Sequence, residues 1–305
     1  CPILLKVEPP SIDEIKLINP QTIIISALQL KTQSKNYFKA LAEKRTTALA
    51  FEFIKDEDGA YPAVRSLSEI AGTASVLIAS ELLSNVNGGN GLMMGNINGV
   101  PPTEIVILGA GTVGEFAARS AIGLGANIKV FDNSITKLRC LQANLSQHVY
   151  TSTMQPKNVL KALKRCDVAI GAVRGNDRSP IIVTQTMVDN MKPGALVIDV
   201  SIDMGGCFET SEVTSHDKPT FDYNGVTHYC VPNIPARYSR TASVSISNIF
   251  TPYLLEIGEN GGIENTLRFD KGLRNGLYFY HGILTNKSVA EWFDLDFSDA
   301  NLLIF

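Results

Sequence analysis

The residues from Val106 to Asp132 constrain this chain more than any other stretch. They read Val106-Ile-Leu-Gly-Ala-Gly-Thr-Val-Gly-Glu-Phe-Ala-Ala-Arg119, followed by a second apolar run that ends in Val130-Phe-Asp132. The order is strand, glycine turn, helix, strand and acid, and each part has a physical job. Gly109 permits a tight turn after the strand, Gly111 lets a ligand's phosphates approach the backbone, and Gly114 lets the helix pack closely on the sheet. The amides of the helix that begins at Thr112 and Val113 then face an anion. Asp132, eighteen residues beyond Gly114, is placed to accept hydrogen bonds from a ribose 2′-hydroxyl and to repel a 2′-phosphate. The pattern points to a dinucleotide, NAD rather than NADP. Glycine turns also occur where packing alone requires them, so a nucleotide-free α/β turn is the alternative.

With 305 residues the chain is long enough for two domains of ordinary size. Its net charge is −3, with 27 basic and 30 acidic residues scattered along it, which leaves no electrostatic footprint for nucleic acid or an anionic membrane surface. No apolar run approaches the ~18 residues that span a bilayer, and no signal segment opens the sequence, so a cytoplasmic location is the expectation. The five cysteines are odd in number and widely spaced, which fits reduced thiols rather than disulfides. His148, His216, His228 and His281 show no metal-ligand spacing, and no metal site is expected. Neither a Gly-x-Ser-x-Gly elbow nor a Walker lysine is present, so hydrolase and kinase readings lose their main support. The sequence opens at Cys1-Pro-Ile-Leu-Leu-Lys6, without methionine and inside an apparent strand; the expectation is that a segment precedes it.

Ahead of the glycine turn, residues 3–7, 22–28 and 47–51 are apolar, β-branched runs bounded by proline breakers, which predicts strands. Between the second and third, residues 34–44 carry Tyr37, Phe38 and Leu41 at helical spacing, completing a βαβ unit. A long helical pattern begins at Ser66-Leu-Ser-Glu69, with Ser66 as N-cap and Glu69 in the capping-box position. Strands predicted over 105–108, 128–131, 149–151, 168–170 and 195–200 alternate with helices, and 227–231 extends the set. Short connections throughout predict an α/β, doubly wound parallel sheet of the Rossmann type. A helix over 243–257 then returns the chain to its first part. The expected organisation is a nucleotide-binding domain over 81–240 and a discontinuous α/β substrate domain formed by 1–80 and 241–305.

Ligands of open parallel sheets bind at the carboxyl ends of the strands. In Ile170-Gly-Ala172-Val173-Arg174, small residues would let a nicotinamide ribose lie close to the backbone. Asp199 and Asp203 follow a buried strand and precede a glycine pair, while Val231-Pro-Asn233-Ile-Pro-Ala-Arg237 fixes an asparagine between prolines. A carboxylate beside a nicotinamide can exchange a proton with the substrate, and Asp203 is the candidate for that role. The alternative is that Asp199 and Asp203 cap the following turn or pair with an arginine.

These residues resemble the alanine dehydrogenase family, with the nicotinamide nucleotide transhydrogenase α subunit as a cousin. The resemblance runs over nearly the whole chain, through Ser66-Leu-Ser-Glu-Ile-Ala-Gly72, Val106 to Asp132, Met191-Lys-Pro-Gly194, Asp203-Met-Gly-Gly-Cys-Phe-Glu-Thr-Ser211, Tyr229-Cys-Val-Pro-Asn-Ile-Pro235, Asn248 and Pro252-Tyr253. It implies NAD(H) as cofactor, a small amino-acid or 2-oxo-acid substrate, interconversion of L-alanine with pyruvate and ammonia, and assembly as a homohexamer. It also implies Asp132 as the ribose acid, Asp203 as the catalytic aspartate, Asn233 on the nicotinamide side, and Ser68, Ala172 and Val173 among the coenzyme contacts.

Two departures bear on the substrate. The family's Lys-x-Lys-Glu-Pro segment is here Lys6-Val7-Glu8-Pro9-Pro10, so Glu8 stands where a lysine would hold a carboxylate. The position of the family's catalytic histidine is Gln29, which carries no proton at neutral pH. Lys6, two residues from Glu8 and on the same strand face, is expected to take over as the anion contact. The family's carboxylate-binding arginine is expected upstream of Cys1. Besides an alanine dehydrogenase, the sequence leaves open an NAD-dependent dehydrogenase for another amino acid, such as a basic or saccharopine-type substrate that Glu8 could hold. A non-catalytic NAD-binding protein is the third reading.

Overall fold

The structure, a computed structural model, describes residues 1–175 and 178–304, and of Lys31 only the backbone. The chain divides into two compact units: Cys1–Ser66 together with Ser243–Phe305, and Leu67–Ala242. The first opens with β1 (Ile3–Leu5), β2 (Ile23–Ser26) and β3 (Thr47–Ala50), paired in parallel in that order. The second carries β4 (Glu104–Leu108), β5 (Asn127–Phe131), β6 (Tyr150–Ser152) and β7 (Val168–Gly171). It continues with β8 (Leu196–Asp199), β9 (Thr220–Tyr223) and β10 (Val226–Tyr229). The chain then returns to the first unit with β11 (Leu277–Tyr280) and β12 (Ile283–Leu284), whose antiparallel pairing completes the sheet β1-β2-β3-β11-β12.

The sheet of the second unit has the order β6-β5-β4-β7-β8-β10-β9. All its pairs are parallel except β9 with β10. From β4 the chain winds one way through β5 and β6, then crosses back to β7, so the carboxyl ends of β4 and β7 flank the point where the winding reverses. Both faces are covered, which explains the unbroken apolar runs in the sequence. Ile105, Ile107, Ile128, Val130, Val168, Ile170, Leu196 and Ile198 bury on one face, Val106, Leu108, Phe131, Ala169 and Val197 on the other. Each such aliphatic side chain contributes roughly 1.5–3 kcal/mol when fully withdrawn from water.

The helix predicted to start at Ser66 spans Pro62–Leu82 instead. Proline suits a first helical position because the amide it lacks would have no partner there, so Ser66 lies inside the helix, where its hydroxyl meets that of Ser245. From Leu67 onward the helix belongs to the second unit, earlier than the boundary expected near residue 81. Ala71, Ala74, Ile78 and Ala79 recur at helical spacing and bury in the same cluster as Ile107 and Ala117.

The strands β9, β11 and β12 were not foreseen. β9 is a half-exposed edge strand without a clean apolar alternation, yet Asn224 (φ 50°) and Gly225 (φ 79°) form its hairpin turn, the two-residue signal that sequences of this kind offer. His281 (φ 49°) and Gly282 (φ 86°) do the same between β11 and β12.

Candidate functional site

In the second unit, the expected contact residues lie at the carboxyl ends of its parallel strands or on the helices that begin and pack there. After β4 the chain turns at Gly109, whose φ of +111° and whose close approach to the Ala172 carbonyl both exclude a side chain. Gly114, inside the helix Thr112–Gly123, sits against the carbonyl of Gly109. Gly111 differs from both. Its backbone is extended, with φ −81° and ψ −170°, and a Cβ there would meet nothing within 4 Å. It also forms the N-cap of the helix, with no side chain capping the amides behind it. Thr112 and Val113, half-buried, open that first turn. A helix N-terminus with open space over its N-cap glycine suits a diphosphate.

Ser68, half-buried in Pro62–Leu82, lies one turn before Gly72 on the same helix face. A Cβ on Gly72 would strike the carbonyl of Val113 and come within 2.9 Å of Phe116 Cβ, so this helix packs directly on the first turn of Thr112–Gly123. Asp132 follows β5. Its Oδ2 accepts the Ala110 N–H at 2.8 Å and its Oδ1 the Ser134 N–H at 2.7 Å. The carboxylate thereby fixes the glycine turn and remains half-exposed, with lone pairs left to accept from hydroxyls.

Beyond β7, Ala172 donates its N–H to the Leu108 carbonyl at 2.7 Å, and Val173 donates to the hydroxyl of Ser201 at 3.0 Å. Asp203 lies in the 3₁₀ turn Val200–Met204 that follows β8. Its Oδ1 accepts the Asn233 N–H at 2.9 Å. The residue is exposed, yet protein atoms crowd its carboxyl, and that loss of water raises its pKa above the ordinary aspartate value. The bond from Asn233 pulls the other way, and the charge of Asp199 adds a second upward push. Asn233 itself is left-handed (φ 52°, ψ 50°), a conformation asparagine tolerates better than most residues. Buried Ile234 and Pro235 behind it, and a 2.6 Å ion pair from Arg237 to Glu81, hold the segment in place.

Asp199, which the sequence offers as a cap of the following turn or a partner of an arginine, is a cap. It is fully buried and its Oδ1 accepts the Ser201 N–H at 3.0 Å. Ser201 carries no local signal of its role, yet its hydroxyl joins two of the expected contact segments.

Lys6 and Gln29 belong to the first unit, at the carboxyl ends of β1 and β2. Lys6 is not the free cation expected of an anion contact. Its Nζ donates to both oxygens of Glu14 at 2.7 Å, and Glu14 is also the capping-box acid of the helix Ile12–Leu17. That pair, with the Ser11 amide, lowers the Glu14 carboxyl to about 2. Gln29 is exposed and left-handed (φ 48°, ψ 54°). The carboxylate of Glu52, just beyond β3, accepts the Leu28 N–H at 2.9 Å and the Gln29 N–H at 2.9 Å and holds this turn. Glu52 escaped the sequence reading, although a charge directly after a buried strand was the available signal. Glu8 is exposed. Among the described residues no group of histidine, cysteine or acidic side chains is arranged to hold a metal ion, and no helix is long and apolar enough to cross a membrane.

The chain is similar in sequence and fold to known proteins. Residues 1–71 match the alanine dehydrogenase/PNT N-terminal domain, and residues 75–287 the alanine dehydrogenase/PNT C-terminal domain. An alanine dehydrogenase of Mycolicibacterium smegmatis is 37% identical over 299 residues, covering 98% of this chain and 80% of its own. Among solved structures, an L-alanine dehydrogenase superposes with a TM-score of 0.90 at 31% identity, over 96% of this chain and 81% of that one. A transhydrogenase from Sinorhizobium meliloti shares the fold, with a TM-score of 0.77 at 22% identity over 94% of this chain and 80% of its own.

Proposed function

Because the chain belongs to the alanine dehydrogenase/PNT family, we propose that it oxidises L-alanine with NAD to pyruvate and ammonia and catalyses the reverse amination. The observation that supports this reading is the conjunction, in one unit, of an unobstructed Gly111 at a helix N-terminus, a half-exposed Asp132 carboxylate bound to the glycine turn and an exposed Asp203 held by one amide of Asn233. The residues fit the coenzyme. Gly109, Gly111, Thr112, Val113 and Gly114 would hold the diphosphate, Asp132 a ribose, and Ser68, Ala172, Val173 and Asn233 would line the remainder.

A nicotinamide, when bound, supplies or accepts the hydride at the substrate α-carbon. The chain's own part is positioning and proton transfer. With Oδ1 engaged by Asn233, Oδ2 of Asp203 is the atom that takes a proton from the water attacking the substrate iminium and returns it in the amination direction. Its raised pKa brings that exchange closer to neutrality. Gln29, unable to carry a proton, is left with hydrogen bonding as its chemistry. The same reading includes a homohexamer in the cytoplasm, which analytical ultracentrifugation and cell fractionation would test.

Appearance of NADH absorbance on mixing the chain with L-alanine and NAD, and much slower reduction of NADP, is the expected result. NADH binding without turnover of any amino or oxo acid would instead establish the non-catalytic reading. One set of observations favours a second substrate class. Lys6 is bound to Glu14 while Glu8 is exposed, so the first unit offers acceptors rather than a cation near β1. A basic amino acid suits that surface. Reduction of NAD by lysine-like substrates and not by alanine would select it. Under the alanine reading, Glu8→Lys should raise kcat/KM for alanine about tenfold through one favourable charge contact.

A further inference from the structure

We propose that Asp199 is a positioning residue for this site: its carboxylate fixes the turn that carries Asp203 and, through Ser201, the Ala172–Val173 loop. The inference rests on the dehydrogenase reading above and adds a residue that touches neither substrate nor coenzyme. Asp199 ends β8 and pairs in register with Gly171 at the end of β7. Its side chain is entirely shielded from water. A buried carboxyl group is costly unless its lone pairs are met, and here they are. Oδ1 accepts the Ser201 N–H at 3.0 Å; Oδ2 accepts the Cys207 N–H at 2.9 Å, the Phe208 N–H at 3.3 Å and the Ser211 hydroxyl at 2.7 Å.

Three amides, a hydroxyl and, at 3.8 Å from Oδ1, the Cys207 thiol converge on two oxygens, an arrangement that acceptors on both sides satisfy. Asparagine would turn an NH₂ against one of these donors. The fit is also steric: a Cβ on Gly171 would lie 2.7 Å from Oδ1, and one on Gly206 (φ +78°) 2.8 Å from Oδ2. The carboxylate thus ties the end of β8 to the 3₁₀ turn and to the Gly-Gly-Cys-Phe segment after it. From the turn, the Ser201 hydroxyl accepts the Val173 N–H at 3.0 Å. The proton-carrying residue and the loop expected along the nicotinamide are therefore registered on one buried group. A displacement of about 1 Å between such parts is enough to slow transfer about 100-fold.

The test combines amide hydrogen exchange with steady-state kinetics on the full chain. Asp199→Asn should speed exchange at Ser201 and Val173 and lower kcat at least about tenfold, with a smaller change in KM for alanine. A merely stabilising role would lower the melting temperature and leave kcat per folded molecule unchanged; that result overturns the proposal. Should Asp199→Asn not fold, Ser201→Ala removes the link to Val173 and leaves the Ser201 amide on Asp199 in place. It should speed Val173 exchange and raise KM for NAD about threefold or more, and Ser201→Thr, which keeps the hydroxyl, should restore both. Unchanged Val173 exchange in Ser201→Ala refutes the link. If the wild-type chain turns over no substrate, the dehydrogenase reading fails separately, and the exchange comparison still decides whether Asp199 registers the loop.

Discussion

Gly111 and Gly114 stand three residues apart in the same turn, and their replacement by alanine should have opposite consequences. At Gly111 the backbone is in a region open to any residue, and the added methyl meets no protein atom within 4 Å. Alanine restricts the unfolded chain, worth about 0.4–1 kcal/mol in favour of folding. It is also a poorer N-cap than glycine, by about 0.5–1 kcal/mol. The two effects cancel to within ~0.5 kcal/mol, so Gly111→Ala should melt where the wild type does. The methyl instead occupies the space through which a diphosphate would reach the helix amides. Losing one charge-assisted bond of about 1.5–3 kcal/mol weakens binding roughly 10- to 150-fold. At Gly114 the methyl would run into the Gly109 carbonyl. Crowding of that kind costs about 1–3 kcal/mol and should lower the melting temperature by several degrees. Circular dichroism melts with NADH fluorescence titrations distinguish the two. Wild-type NADH affinity in Gly111→Ala would refute the coenzyme reading of this turn, and destabilisation equal to that of Gly114→Ala would refute the steric argument.

Asp203→Asn should abolish turnover while changing NADH affinity less than about threefold, since its proposed work is proton transfer and not coenzyme binding; substantial kcat in a folded variant would remove Asp203 from the mechanism. In the wild type the rate limb that needs ionised Asp203 should lie above the ordinary value of 3.8, because loss of water around the carboxyl raises it. His228 gives a stability prediction. Buried and bonded to Thr210 at 2.9 Å and Val226 at 3.0 Å, it is held below 6.5 by loss of hydration. The unfolded chain therefore takes up the proton first. The contribution of neutral His228 is fully present above about pH 6.5 and is lost as pH falls through that value, by up to about 1.4 kcal/mol per pH unit. Urea unfolding across that window should show a steeper decline in the wild type than in His228→Gln, and parallel slopes would contradict the assignment.

What could be read in advance follows from how local each determinant is. The glycine turn and Asp132 lie within one βαβ stretch, where spacing alone sets which backbone atoms meet, so Gly109, Gly111 and Gly114 could be assigned distinct jobs before any coordinates. The alternation of Ile105, Val106, Ile107 and Leu108 between the two covered faces was legible as an unbroken apolar run. The start of the helix Pro62–Leu82 was misplaced because a capping-box pattern at Ser66 competes with a proline four residues earlier. Both are valid start signals, and the packing of Ala71 and Ala74 does not choose between them. The hairpins at Asn224-Gly225 and His281-Gly282 carried their turn chemistry openly. Of their strands, β10 overlaps the predicted 227–231 run, whereas β9, β11 and β12, four residues or fewer each, show too little periodicity to stand out.

The state of a side chain is less local than its position, and Lys6 and Asp199 show the difference. Lys6 stands where a strand end would present a cation, but its charge is committed to Glu14, eight residues on, which is itself fixed by capping a helix at Ser11. No spacing rule couples a strand-end lysine to the capping acid of the next helix; only the folded path does. Asp199 is the converse. A sequence shows a carboxylate after a buried strand and before two glycines, which is compatible with catalysis, capping or ion pairing. The donors that decide among these come from Ser201, Cys207, Phe208 and Ser211, and they converge because Gly206 takes a left-handed turn that brings the chain back over the carboxylate. The neighbouring Asp203, four residues away, meets among the described residues a single amide, that of Asn233, and keeps an exposed face. Two chemically identical acids are thereby separated into a buried anchor and an exposed carboxylate, the one proposed to carry the proton, by the number of donors each receives, a quantity that the fold alone determines.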